Sequence, residues 1–212
     1  MQYGDENESY IDQLDINNFA RSTVTGDLNF VDIDQNGTNS EAKVSIGPED
    51  SYEGDENNVR ITQHLGGKAW VTLHGSSNDV NLLQSGGSGD WHVVKVMKGD
   101  DNDFDITAEN GGGNRGYWLL RWASSDNDID VSQDGSGNVA GGYLEGASSN
   151  VIDIVQSGND NLVGSDPHNW NVNDGVVITN GTGNNIDVDQ LTDGNMATAN
   201  VAGSSNTVTI SQ

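Results

Sequence analysis

Between Asn127 and Gln133 the chain alternates strictly, with Asn127, Ile129, Val131 and Gln133 on one side and Asp128, Asp130 and Ser132 on the other. A period of two is the signature of a β-strand with one buried face. Turn formers follow in Asp134-Gly-Ser-Gly-Asn138, and these residue types reverse a chain. A weaker alternation then runs through Ala140, Gly142 and Leu144, and the pattern restarts at Asn150 with Ile152, Ile154 and Gln156. The predicted unit is strand, turn, strand, turn.

The unit recurs along nearly the whole chain. Asn is followed at one fixed spacing by Gln in Asn7/Gln13, Asn29/Gln35, Asn57/Gln63, Asn78/Gln84, Asn127/Gln133, Asn150/Gln156, Asn184/Gln190 and Asn206/Gln212. Another copy begins at Asn102, with Ala108 in the place of Gln. The second and fourth positions after Asn are Val31/Ile33, Val59/Ile61, Val80/Leu82, Phe104/Ile106, Ile129/Val131, Ile152/Ile154, Ile186/Val188 and Val208/Ile210; only Ser9/Ile11 departs. A second strand is traceable from Asn18 (Ala20, Ser22, Val24), Asn114 (Gly116, Trp118, Leu120) and Asn195 (Ala197, Ala199, Val201).

One such strand cannot bury enough surface alone, so the units must stack, each strand pairing with its equivalent in the next unit. The expected fold is all-β: a β-solenoid of about eight to nine stacked repeats, amyloid-like in its cross-β spacing. Residues 1–212 form a single repeat domain, with units starting near Asn7, Asn29, Asn57, Asn78, Asn102, Asn127, Asn150 and Asn184 and a terminal half-unit over 206–212. Turn-rich stretches mark loop insertions near 47–56 and 164–180. Stacking at about 4.8 Å per rung lets like amides hydrogen-bond along the axis, which satisfies polar groups that are costly to bury unpaired. The Asn and Gln residues are therefore expected to form structural ladders.

This pattern resembles the curlin repeat of curli, the bacterial extracellular amyloid. The resemblance rests on Asn127 to Asn138, on Asn150 to Asn161 through Gln156 and Gly158, and on the opening Gln2-Tyr-Gly4-Asp-Glu-Asn7. It implies a secreted, cell-surface fibre subunit in biofilm, unfolded until export through a dedicated pore and assembled on a nucleator subunit. Unlike the family's second strand, which closes on Gln, the equivalent positions here are Val24, Leu120, Leu144 and Val201, so one Gln ladder is expected rather than two. Both ends of the stack are expected to be open edges, with Ile11, Val208 and Ile210 as polymerisation contacts and Asn206 to Gln212 pairing with Asn7 to Gln13 of the next subunit.

Charge narrows the partners. A net charge of -25 argues against nucleic acid and anionic membrane surfaces. No apolar run approaches membrane-spanning length, and no charged and apolar leader opens the chain, so a secreted protein would have lost its signal. There is no cysteine, hence no disulfide framework or thiolate chemistry.

Catalytic constellations are lacking: basic residues are scattered, and Ser76-Ser77 and Ser148-Ser149 have no phased His. No enzyme activity is expected, and a polysaccharide-active solenoid is the weakest reading. His64/His74 is the nearest approach to a His metal pair, and Gly86-Gly-Ser-Gly-Asp90 the nearest to a calcium nonapeptide. The remaining candidates are Asp105, Asp130, Asp153 and Asp187, all at the third position after Asn and so expected in one column, with Asp103 and Asp128 beside it. The column is a solvated acidic face or a strip for calcium or protons. No cofactor is expected, calcium being the one candidate ion, and the alternative to a fibre subunit is a monomeric, calcium-dependent adhesin.

Overall fold

A computed structural model describes residues 4–14, 16–27, 29–37, 40–47, 58–64, 67–75, 77–85, 91–97, 100–109, 112–121, 125–146, 148–163, 176–191 and 193–212. Each first-type strand lies where the Asn-to-Gln alternation places it: β1 (Glu8–Gln13), β3 (Phe30–Asn36), β5 (Asn58–His64), β7 (Asp79–Ser85), β9 (Asp103–Glu109), β11 (Asp128–Gln133), β13 (Val151–Gln156), β15 (Asn185–Gln190) and β17 (Thr207–Ser211). The second-type strands are β2 (Ala20–Val24), β4 (Ser40–Ile46), β6 (Gly67–Leu73), β8 (Trp91–Met97), β10 (Gly116–Arg121), β12 (Ala140–Glu145), β14 (Val176–Thr182) and β16 (Ala199–Ser204). Odd strands form one nine-stranded sheet and even strands one eight-stranded sheet, each in chain order. All pairs are parallel. The chain is an all-β solenoid, and no helix occurs among the described residues.

Register follows the repeat. Val31, Val59, Val80, Phe104, Ile129, Ile152, Ile186 and Val208 oppose one another rung by rung, as do Ile33, Ile61, Leu82, Ile106, Val131, Ile154, Val188 and Ile210. A one-residue slip would turn every apolar side chain to solvent, so alternation fixes this register. The second sheet answers with Ala20, Ala42 and Ala69 in one column, and with Val24, Ile46 and Leu73 in another. These side chains are buried between the two sheets.

The middle column of the second sheet varies most in size. Trp118 there faces Val94 on one side and Gly142 on the other. A Cβ at Gly142 would overlap the Trp118 indole, so the bulk of one rung is accommodated by the glycine of the next.

Corners are built from left-handed backbone. Ser77, Asp101, Asp126, Ser149, Gly183 and Ser205, each just before a repeat Asn, all have φ between 55° and 71°. At the opposite corner Ser136, Asn159 and Asp193 share φ values of 68° to 79°. Their amides are also laddered: Ser136 N–H donates to Asn159 Oδ1 at 2.5 Å, and Asn159 N–H to Asp193 Oδ2 at 2.6 Å.

The second insertion is shorter than expected and differently placed. Val163 bridges Ala140 and Ala197, whereas Val176 pairs with Gly142 and Ala199. Residues 164–175 therefore fall between the first and second core positions of one rung, and 176–180 belong to strand β14 rather than to a loop. Most of the first insertion, 48–57 and with it Asn57, lies outside the described residues.

Candidate functional site

The amide ladder is continuous over most of the first sheet. Asn78, Asn102, Asn127, Asn150, Asn184 and Asn206 are joined Nδ2 to Oδ1 at 2.8, 2.8, 2.8, 2.8 and 2.9 Å. Each receiving Oδ1 also accepts the backbone N–H of the preceding Asn at 3.0 to 3.1 Å. Because a backbone N–H can only donate, every Oδ1 must face the N-terminal neighbour, and the ladder has one polarity. Toward the N-terminus the bonding changes: Asn7 Nδ2 donates to Gly26 O at 2.7 Å, and Asn29 Nδ2 donates to Asp27 O.

The Gln column is in register but not continuously bonded, which corrects the expected single Gln ladder. Gln84 donates to Gln63, Gln133 to Gln156 at 3.0 Å, and Gln212 to Gln190 at 3.4 Å. Gln13, Gln63 and Gln190 instead donate to carbonyls across their own turns, at Phe19, Lys68 and Met196. A Gln side chain has one more torsion than Asn, so the cross-turn carbonyl competes for its amide; at Gln13 the turn claims both ends, Phe19 O accepting from Nε2 and Phe19 N–H donating to Oε1 at 3.2 Å. Buried amide atoms of Gln35, Gln84, Gln133 and Gln156 consequently find no hydrogen-bond partner. Ala108 interrupts the column between Gln84 and Gln133.

A second Asn ladder runs along the other sheet. Asn114, Asn138, Asn161 and Asn195 are linked in turn at 3.2, 2.8 and 3.0 Å. The Asn-to-Gln repeat does not single it out. For Asn138, Asn161 and Asn195 the signal is an Asn five residues after Gln, a spacing that Asn18 shares with Gln13; Asn114 lacks it, standing six residues after Ala108.

At the ends the core opens. Val208 and Ile210 are 39% and 42% exposed, against 0% and 1% for Ile186 and Val188 one rung earlier. Among the described strands, β17 pairs only with β15, and β1 only with β3. Ile11 is partly buried against the core, while Tyr10, Leu14, Ile16 and Phe19 at the first rung, and Leu191 and Met196 near the last, are exposed apolar residues that the alternation did not mark. Leu14 and Ile16 stand in a turn where other units carry Asp134-Gly-Ser136 or Ser157-Gly-Asn159, and that break in polarity is their sequence signal.

The aspartate column forms as expected. Asp105, Asp130, Asp153 and Asp187 lie in successive register, and beside them Asp79, Asp103 and Asp128 form a second column. Partial removal from water raises the pKa of Asp103 above its ordinary 3.8, and Asp79, Asp128 and Asp105 add to the rise. Asp130 is raised by desolvation and then by Asp128, Asp153, Asp105 and Asp103; Asp153 by desolvation and then by Asp187, Asp189 and Asp128. Asp105 accepts from Asn81 Nδ2 at 3.3 Å and Thr107 Oγ1 at 3.2 Å, and Asp79 from Asn58 Nδ2 at 3.1 Å.

Among the described residues no three or more His, Asp or Glu side chains are grouped so as to hold a metal ion. His64 Nδ1 lies 2.5 Å from Ser85 Oγ on the next rung, and His74 is buried after β6. Gly86 to Asp90 lies outside the described residues. Among the described residues no helix is long and apolar enough to cross a membrane. No protein-family model, curated protein or solved structure matches the chain.

Proposed function

We propose that this chain is the structural subunit of a secreted, curli-like fibre, built by stacking copies head to tail along the solenoid axis. The observation that carries the reading is the open cross-section at β17, where two core columns end on half-exposed Val208 and Ile210 while the same columns are sealed within the stack. Covering those side chains with the first rung of another copy removes apolar surface from water, at about 25 cal/mol per Å². It also supplies partners to an unpaired parallel edge. Parallel strands stacked along an axis repeat at about 4.8 Å, which supports an amyloid-like reading of such a fibre. The curlin resemblance adds the cell surface, the biofilm setting, a nucleator and an export pore, with self as the principal partner and no catalytic role.

The test is the double variant Val208→Pro/Ile210→Pro. Proline removes N–H donors from the ladder and disfavours a paired strand. The wild-type chain is expected to give unbranched filaments by electron microscopy and the variant none. Filaments of normal length from the variant would show that copies join through another surface.

A further inference from the structure

The two outer faces of the solenoid differ in charge. On the first sheet, Asp79, Asp103, Asp105, Asp128, Asp130 and Asp153 are exposed, and strands β7, β9, β11, β13, β15 and β17 contain no Lys or Arg. On the second sheet, the first three rungs present Arg21, Lys43 and Lys68, all exposed on the face opposite the core. Arg21 and Lys43 oppose each other on adjacent strands, and Glu41, which opposes Lys68, is the one acidic residue on β2, β4 and β6. Acidic and basic surfaces thus lie on opposite sides of the stack and displaced along it.

Both faces also share one ruler. Parallel strands in each sheet repeat at about 4.8 Å, so the in-register pair Arg21 and Lys43 of one copy matches carboxylates on successive rungs of another, while Lys68 stands two residues along its strand from that column. Partial removal from water and then neighbouring carboxylates raise the pKa of Asp103, Asp130 and Asp153, so a cation docked on this face meets carboxylates that repel one another.

From this complementarity we propose a lateral contact between copies: the Arg21, Lys43 and Lys68 face of one filament docks on the Asp105, Asp130, Asp153 and Asp187 face of its neighbour, staggered along the axis, and bundles the filaments. The proposal rests on the head-to-tail reading. Each exposed ion pair is weak alone, and only a filament repeats the contact often enough to hold. A net charge of -25 opposes approach at long range. Bundling is therefore strongest where salt screens distant repulsion but not contact pairs, near a Debye length of about 8 Å, and weaker at about 30 Å or about 3 Å.

The experiment compares filament width by electron microscopy, across ionic strength, for the wild-type chain, for Arg21→Glu/Lys43→Glu/Lys68→Glu, and for that variant further carrying Asp130→Lys/Asp153→Lys/Asp187→Lys. The expected result is bundles in the wild type, single filaments in the first variant and restored bundles in the second. Equal bundling in wild type and first variant, or bundling indifferent to salt, overturns the lateral contact while leaving head-to-tail stacking intact. Failure of the wild type to form filaments at all overturns the stacking reading, and this one with it.

Discussion

Ala108 stands in the one copy of the repeat that has lost its Gln, and both neighbouring amides bear the consequence: Gln84 Oε1 and Gln133 Oε1 are buried without a partner. Replacing Ala108 by Gln offers one of them a donor at the spacing used elsewhere in the column. Ala108→Gln is expected to raise unfolding stability by about 1 kcal/mol, the net value of one made hydrogen bond. An unchanged or lowered urea midpoint would mean that the column is held open by packing rather than by the missing amide.

The aspartates work in the opposite sense. Asp103, Asp130 and Asp153 hold their protons more tightly folded than unfolded. The folded chain therefore gains stability as pH falls through their raised values toward the ordinary 3.8, and the gain is complete below it. Carboxylates one rung apart repel by about 1 kcal/mol per pair even at the dielectric of water. Asp130→Asn/Asp153→Asn should raise the urea midpoint at neutral pH and flatten its rise on acidification. A pH profile identical to wild type would remove these side chains from the account.

Among the elements, the strands were the most legible in the sequence. Ile129 and Val131, or Ile152 and Ile154, alternate within one strand and recur at fixed phase to Asn and Gln, so a single pattern gives element, buried face and neighbour together. The corners were legible as turns at Asp134 to Asn138, but their left-handed residues were not. Ser77, Asp101, Asp126, Ser149 and Gly183 share a left-handed backbone without sharing a residue type. Nor was the split rung, because an insertion between Val163 and Val176 separates the first core position from the rest of its strand and breaks the alternation there. The second Asn ladder was half visible: Asn138 and Asn161 stood in the motif, but their bonding needed the stack.

Gly142 and Trp118 show what alternation cannot convey, since only packing reveals that the two share one volume. Gly142→Ala forces the indole to move and should destabilise by about 1–3 kcal/mol. Adding Trp118→Val, which matches the Val94 and Val71 of neighbouring rungs, should recover a large part of that loss in a double-mutant cycle. Additive losses would place the two side chains in separate environments.

At the scale of the whole molecule, the described strands contact one another chiefly between adjacent rungs, so the stack behaves as a one-dimensional array. Its strands are parallel throughout each sheet and the Asn ladder points one way from Asn78 to Asn206, so the β1 and β17 ends are chemically unlike. Only head-to-tail joining continues that polarity, bringing β17 of one copy against β1 of the next. Thr207 would then oppose Glu8 of the neighbouring copy at one strand spacing, within the reach of a disulfide. Within one chain the same residues lie at opposite edges of a nine-stranded sheet and cannot meet. The native chain contains no cysteine, so the double variant Glu8→Cys/Thr207→Cys carries no competing thiol. Mild oxidation during assembly should yield a covalent series extending well beyond dimer on a non-reducing gel, with each single variant stopping at dimer. Filaments that form while the double variant also stops at dimer would contradict head-to-tail continuation of the solenoid.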